Sequence, residues 1–121
     1  MSTEEFNLEN SQAQMRKGIL EYCILLIIAR GEIYASDILK ELKMDNLIVV
    51  EGTLYPLLSR LRADGLLDYV WKESKTGPPR KYYRLKDAGK TALRHLTSTW
   101  QELASSINSL IKKNQAYEKN H

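Results

Sequence analysis

A chain of 121 residues, 43% hydrophobic and 27% charged, holds one modest core and would gain stability from a partner subunit. Its net charge of +3 permits an anionic partner without requiring one, so the distribution of charge says more than the total. The lone Cys23 excludes an internal disulfide, the longest apolar run (23–29) is far short of the roughly 20 residues of a membrane span, and the polar start lacks the basic and apolar segments of a secretory signal. A cytoplasmic protein with no membrane partner is expected.

Residues 8–29 form the first predicted helix, interrupted only by Gly18, with Met15, Ile19, Tyr22 and Leu26 recurring at helical spacing. Its end, 24–28, is apolar all round and is expected to be buried on more than one side. Arg30-Gly31 then supplies a stop signal. A second helix over 34–43 turns Ala35, Ile38, Leu39 and Leu42 inward, and Asp37, Lys40 and Glu41 outward. After a linker, 44–50, a third helix spans 51–64 and is closed by Gly65; Leu54, Leu57, Leu58 and Leu61 make one apolar stripe. Its opposite face carries Gly52, Pro56, Ser59 and Ala63, flanked by Tyr55 and Arg60, and is small enough to let another molecule approach the backbone. Pro56 is expected in the first turn, where its missing N–H costs little, which sets the helix start near 51–53 although Val50 is a poor cap. Residues 66–73, rich in β-formers, read as a strand, 74–79 as a loop and 80–85 as the returning strand of an antiparallel hairpin. With Asp87 as its cap, a last helix runs to about 117.

The fold class is therefore mainly α with a small antiparallel β-hairpin. Three helices followed by a hairpin suggest a winged helix-turn-helix domain over 8–86, with its third helix in the DNA major groove, followed by a long C-terminal dimerisation helix over 87–118. Charge supports that order. Residues 71–86 hold six bases (Lys72, Lys75, Arg80, Lys81, Arg84 and Lys86) against one acid, Glu73, a net +5 that leaves −2 for the rest of the chain. Bases on a projecting hairpin suit the neutralisation of phosphates, and such binding would be salt-dependent. Lysines on a hairpin edge also serve to block edge-to-edge aggregation, and that plainer role stands beside the first.

Two separate motifs carry a family resemblance. The run Glu51-Gly52-Thr53-Leu54-Tyr55-Pro56-Leu57-Leu58, followed by Arg60-Leu61 and Gly65-Leu66-Leu67, and the run from Gly77-Pro78-Pro79-Arg80 to Tyr82-Tyr83-Arg84-Leu85 closely resemble the PadR family of bacterial transcriptional regulators. Gly18-Ile19-Leu20 and Tyr34 also look like that family; Ala35, where it often has glycine, departs from it. The resemblance covers roughly 15–100. It implies a homodimeric, usually repressing, regulator bound to double-stranded DNA at an inverted-repeat operator, with no cofactor. The short form, with a single long C-terminal helix, is similar to members that sense drugs or small aromatic compounds. On the resemblance and the helical-face reading together, Thr53, Tyr55, Pro56, Ser59 and Arg60 are the candidate recognition-helix contacts. Lys75, Arg80 and Lys81 are the candidate wing contacts, and Arg16 or Lys17 would reach phosphates. Few long donors lie on the exposed helical face, so DNA shape and apolar contacts would share the readout with Tyr55.

In the last helix Leu93, Leu96, Trp100, Leu103, Ile107, Leu110, Asn114 and Tyr117 alternate at spacings of three and four, a heptad seam. The small first domain cannot cover such a stripe, and a second copy is the economical partner, with the first helix of each subunit packed alongside. Leu93, Leu96, Trp100, Leu103, Ile107 and Leu110 are thus the expected dimer interface; Asn114 either defines register or marks fraying. Trp100 has two readings: a core residue of the seam, or, with its mate across the two-fold axis, a wall of a pocket for a small aromatic effector. An enzyme is not expected. Cys23 lies in an apolar helix, His95 and His121 lack a local partner, and the sequence has neither a glycine-rich phosphate loop nor metal-ligand spacing, hence no catalytic residue and no metal site. A winged-helix module that binds only protein is the alternative, and salt-dependent retention on DNA separates the two. RNA is less favoured, since Tyr82 and Tyr83 alternate across the hairpin rather than forming one stacking platform.

Overall fold

The computed structural model describes residues 6–47 and 49–121. Four helices and three short strands follow one another as α1 (Leu8–Ile28), β1 (Ile33–Tyr34), α2 (Ala35–Met44), α3 (Glu51–Ala63), β2 (Leu67–Ser74), β3 (Gly77–Leu85) and α4 (Asp87–Asn120). The strands form one antiparallel sheet in the order β1-β3-β2.

Asn7 caps α1, its side-chain oxygen accepting from the Asn10 N–H at 3.0 Å. The core row of α1 is Leu20, Ile24, Leu25, Ile27 and Ile28. The row Met15, Ile19, Tyr22 and Leu26 is a different one. Met15 is 76% exposed and Leu26 41%, while the Tyr22 hydroxyl donates to Thr97 Oγ1 of α4 at 2.9 Å. A helix apolar on several sides has more than one row to bury, and the first of them joins the core shared with α2, α3 and the sheet. The second row faces α4 and the open side.

Ile33 and Tyr34 pair with Tyr83 and Tyr82, giving the hairpin a third strand that the sequence reading lacks. Two residues carry no detectable alternation, and their pairing depends on a segment about fifty positions away. In α2, Ala35, Ile38 and Leu42 are buried and Leu39 partly so. The helix ends with Asn46 at φ 63° and the Leu47 N–H bonded back to the Leu42 carbonyl at 2.8 Å.

In α3, Leu54, Leu58 and Leu61 are buried and Leu57 half-buried. Val50 supplies no side-chain cap, but its carbonyl accepts from the Thr53 and Leu54 N–H groups at 3.0 and 3.1 Å. Because the helix begins at Glu51, Pro56 lies past the first turn rather than in it, and its ring removes the donor that the carbonyl of Gly52 would otherwise meet, which is tolerated because Gly52 is exposed. Gly65, at φ 79°, makes the left-handed stop, and the Leu66 N–H closes onto the Leu61 carbonyl at 3.0 Å.

The predicted loop 74–79 is shorter than its composition suggests. Only Lys75 and Thr76 turn, and β3 starts at Gly77. Between the pairs Lys72↔Arg80 and Ser74↔Gly77 the register shifts by one residue, and Pro78 and Pro79 sit in that irregularity, where no ladder N–H is required of them. Asp87 is the first residue of α4 rather than its cap, which is Lys86. The Lys86 N–H bonds to the Leu66 carbonyl at 3.0 Å, and buried Gly89 lies against the same carbonyl, so the start of α4 is docked on the backbone that ends α3. From Ser98 to His121 every residue except Ala104 is exposed.

Candidate nucleic-acid interface

With Leu54, Leu58 and Leu61 inward, helical geometry puts Gly52, Pro56, Ser59 and Ala63 on the outermost line of α3, and all four are exposed. Of the predicted contacts, Pro56 and Ser59 lie on that line, while Thr53, Tyr55 and Arg60 are exposed along its two flanks. Thr53 and Arg60 border an open groove of about 570 Å³ between α1 and α3, and Arg16 and Lys17 border it from the α1 side. Arg60 is ion-paired with Glu21 of α1, so its guanidinium is directed toward that groove.

Tyr55 stands on the other flank, 43% exposed. Burial, then Glu51 and then Tyr34 push its phenol above the usual range, so it remains a protonated donor at neutral pH. Tyr34 is the link to the wing: its ring lies 6.0 Å from that of Tyr82, and the Arg80 guanidinium sits 4.8 Å over it. Tyr55, Tyr34 and Arg80 thereby connect the flank of α3 to the hairpin. The sequence reading does not place Tyr34 beside the wing, because that position depends on β1 pairing with β3.

Of the six wing bases, two are ion-paired at the foot of the hairpin, and Lys75, Arg80, Lys81 and Lys86 are not paired among the described residues. Lys72 reaches Glu32 at 2.5 Å, and Arg84 meets Asp68 at 2.7 Å and Glu32 at 3.9 Å. The Arg84 hydrogen bond holds the Asp68 carboxyl below the usual carboxylate range. Glu32 and Asp68 thus tie two of the six bases to the foot of the wing. Lys81 lies 4.5 Å over the Tyr69 ring and 5.4 Å from that of Trp71, and Arg62 of α3 lies 4.6 Å over Tyr69. The predicted wing contacts thus lie among the cations left available for an outside anion, with Lys86 beside them.

Of the predicted seam, Leu93 is half-buried against the core, whereas Leu96, Trp100, Leu103, Ile107 and Leu110 are all exposed on the single chain, Trp100 to 40%. Ile111 is exposed beside them and widens the stripe. Cys23 is half-buried, and burial pushes its thiol up. Among the described residues no group of three or more His, Cys, Asp or Glu could hold a metal ion, and no helix is long and apolar enough to cross a membrane.

Residues 24–95 match the family model of the transcriptional regulator PadR-like family. A transcriptional regulator of Mycobacterium tuberculosis is 34% identical over 99 residues, covering 82% of this chain and 87% of the relative. Among solved structures, a PadR-like transcription factor from Bacteroides fragilis is 54% identical, with a TM-score of 0.70 over 84% of this chain and 98% of its own. A PadR-like transcriptional regulator from Bacillus cereus is 38% identical, with a TM-score of 0.73 over 81% and 96% of the two chains. The architecture, the hairpin motif and the sequence match agree, and the chain belongs to the PadR-like family of transcriptional regulators.

Proposed function

We propose that this regulator is a cytoplasmic, dimeric repressor that binds an inverted-repeat DNA operator. The observation that carries the reading is the continuity from the smooth outer line of α3, through Tyr55 and Tyr34, to the unpaired bases of the wing. In this reading α3 enters the major groove, with Thr53, Tyr55, Pro56 and Ser59 near base edges. Lys75, Arg80 and Lys81 neutralise phosphates alongside, and Arg16, Lys17 and Arg60 flank the other side. Two copies clasp along Leu96, Trp100, Leu103, Ile107 and Leu110, whose exposure on one chain is what a homodimer would cover. The half-exposed Trp100 indole is the surface that a small aromatic effector would stack on, and such a ligand relieves repression only if it favours a dimer geometry poorly spaced for DNA.

The test is fluorescence anisotropy with the region upstream of the protein's own gene, over a series of salt concentrations. Binding whose affinity falls steeply with salt, and which exceeds that for scrambled duplex, is expected. Equal, weak binding to every fragment would instead indicate a winged-helix module that binds protein.

A further inference from the structure

Trp71 is the most conspicuous residue of the hairpin that the reading above leaves without a role. Cross-strand register puts Leu67, Tyr69 and Trp71 of β2 opposite Leu85, Tyr83 and Lys81 of β3, so these six side chains share one face of the sheet. That face turns toward the helices at its foot, where Leu67 and Tyr83 are buried. Farther out the cover ends, and Trp71 is 60% exposed. The outer part of the face forms a row in which cations and rings interleave: Arg62 over Tyr69, then Lys81 over both Tyr69 and Trp71. The two rings meet edge to face with centroids 6.0 Å apart, which fixes the indole plane. Arg62 belongs to α3, so the row starts at the recognition helix and runs outward along the wing.

We infer that Trp71 is a backbone-clamping residue of the DNA interface, its ring packed on a deoxyribose and its indole N–H donating to a phosphate oxygen. An indole offers one donor and no acceptor, which suits a phosphodiester and not a mixed polar surface. Lys81 stands over the Trp71 ring and Arg62 over that of neighbouring Tyr69, both without a carboxylate partner among the described residues, so the patch complements an anionic, partly apolar strand better than an acidic peptide alone. Contact of this kind positions the duplex without reading sequence. The inference rests on the DNA-binding reading above.

The chain has two tryptophans, so 5-fluorotryptophan labelling yields two fluorine resonances, assigned by Trp71→Phe. Saturating duplex DNA, with binding confirmed in parallel by anisotropy, is expected to shift the Trp71 resonance. Trp71→Ala is expected to weaken binding about tenfold on operator and scrambled duplex alike. Its salt slope should stay unchanged, whereas Lys81→Ala lowers the slope by about one. Trp71→Phe should lose part of that affinity through the missing donor. Each variant is first checked for an unchanged melting temperature, and since Trp71 is largely exposed, Trp71→Phe keeps the test open if the alanine variant is unstable. A complex that forms with the Trp71 resonance unmoved overturns the inference and leaves the DNA reading standing. Absence of any complex overturns both.

Discussion

Gly89→Ala separates two effects of opposite sign. A methyl group at Gly89 would press into the Leu66 carbonyl oxygen and stand 3.1 Å from both the Leu66 carbonyl carbon and Leu85 Cδ2. The first obstacle is backbone, which cannot rotate aside, so α4 must lift and strain the 3.0 Å bond from the Lys86 N–H to that same carbonyl. Overpacking of this kind costs about 1–3 kcal/mol. Weakening the hydrogen bond costs roughly 1 kcal/mol more. Against this, alanine gains about 1 kcal/mol over glycine in a helix. The net expectation is a loss of about 1–3 kcal/mol, or a melting temperature lower by roughly 3–10 °C. Urea unfolding at one fixed protein concentration measures it, because assembly couples stability to concentration. Gly52→Ala is the control: that glycine is also helical but has nothing within 4 Å of the added carbon, so no loss is expected there. A Gly89→Ala chain at least as stable as the parent would mean that helix propensity outweighs the contact, and would refute the close docking of α4.

Three further outcomes follow from the geometry. Leu103→Glu with Ile107→Glu should shift sedimentation from dimer to monomer and lower operator affinity at least tenfold, since one half-site contact is lost with its partner. Tyr55→Ala or Arg80→Ala should weaken operator binding by roughly 1–3 kcal/mol without changing the sedimentation coefficient; a monomer in either case would move these residues to the dimer interface. The depressed Asp68 carboxyl gives a definite sign with pH. Its contribution to stability is complete above the unfolded carboxylate pKa, about 4, and fades as pH falls through the lower folded value. The urea midpoint of Asp68→Asn should therefore lose less than that of the parent on going from pH 5 to pH 3.

The helices were legible because their apolar rows are regular. Leu54, Leu58 and Leu61 define α3 and thereby its outer line, and Gly65 marks its end before any coordinate is known. The first helix was legible as a helix but not as to which row meets the core: with residues 24–28 apolar all round, only tertiary packing chooses between the rows of Leu20 and Met15. The hairpin was found, but its prolines hid the start of β3, since composition sees a loop where a strand irregularity accommodates two missing donors. For the site, charge counting located the wing but could not tell free bases from engaged ones. Glu32 lies about forty residues before Lys72 in sequence, and only folding brings the two together. Tyr34 is similar, its place beside Arg80 being made by the two-residue strand. Tyr69 and Trp71 carried a readable signal, two aromatic residues alternating along β2, that puts them on one face.

The docking of α4 on the Leu66 carbonyl ties the end of α3 to the start of α4, so that the two would move as one lever. At 34 residues, α4 is about 50 Å long, and half of that is an arm of about 25 Å. If two copies clasp along its outer half and α3 reads DNA as proposed, tilting one lever by about 5° would carry α3 through roughly 2 Å, more than half the rise of one DNA base pair. On the proposed reading, a small change in how the levers cross would be enough to put the two DNA-facing helices out of step with the groove, without any rearrangement inside either subunit.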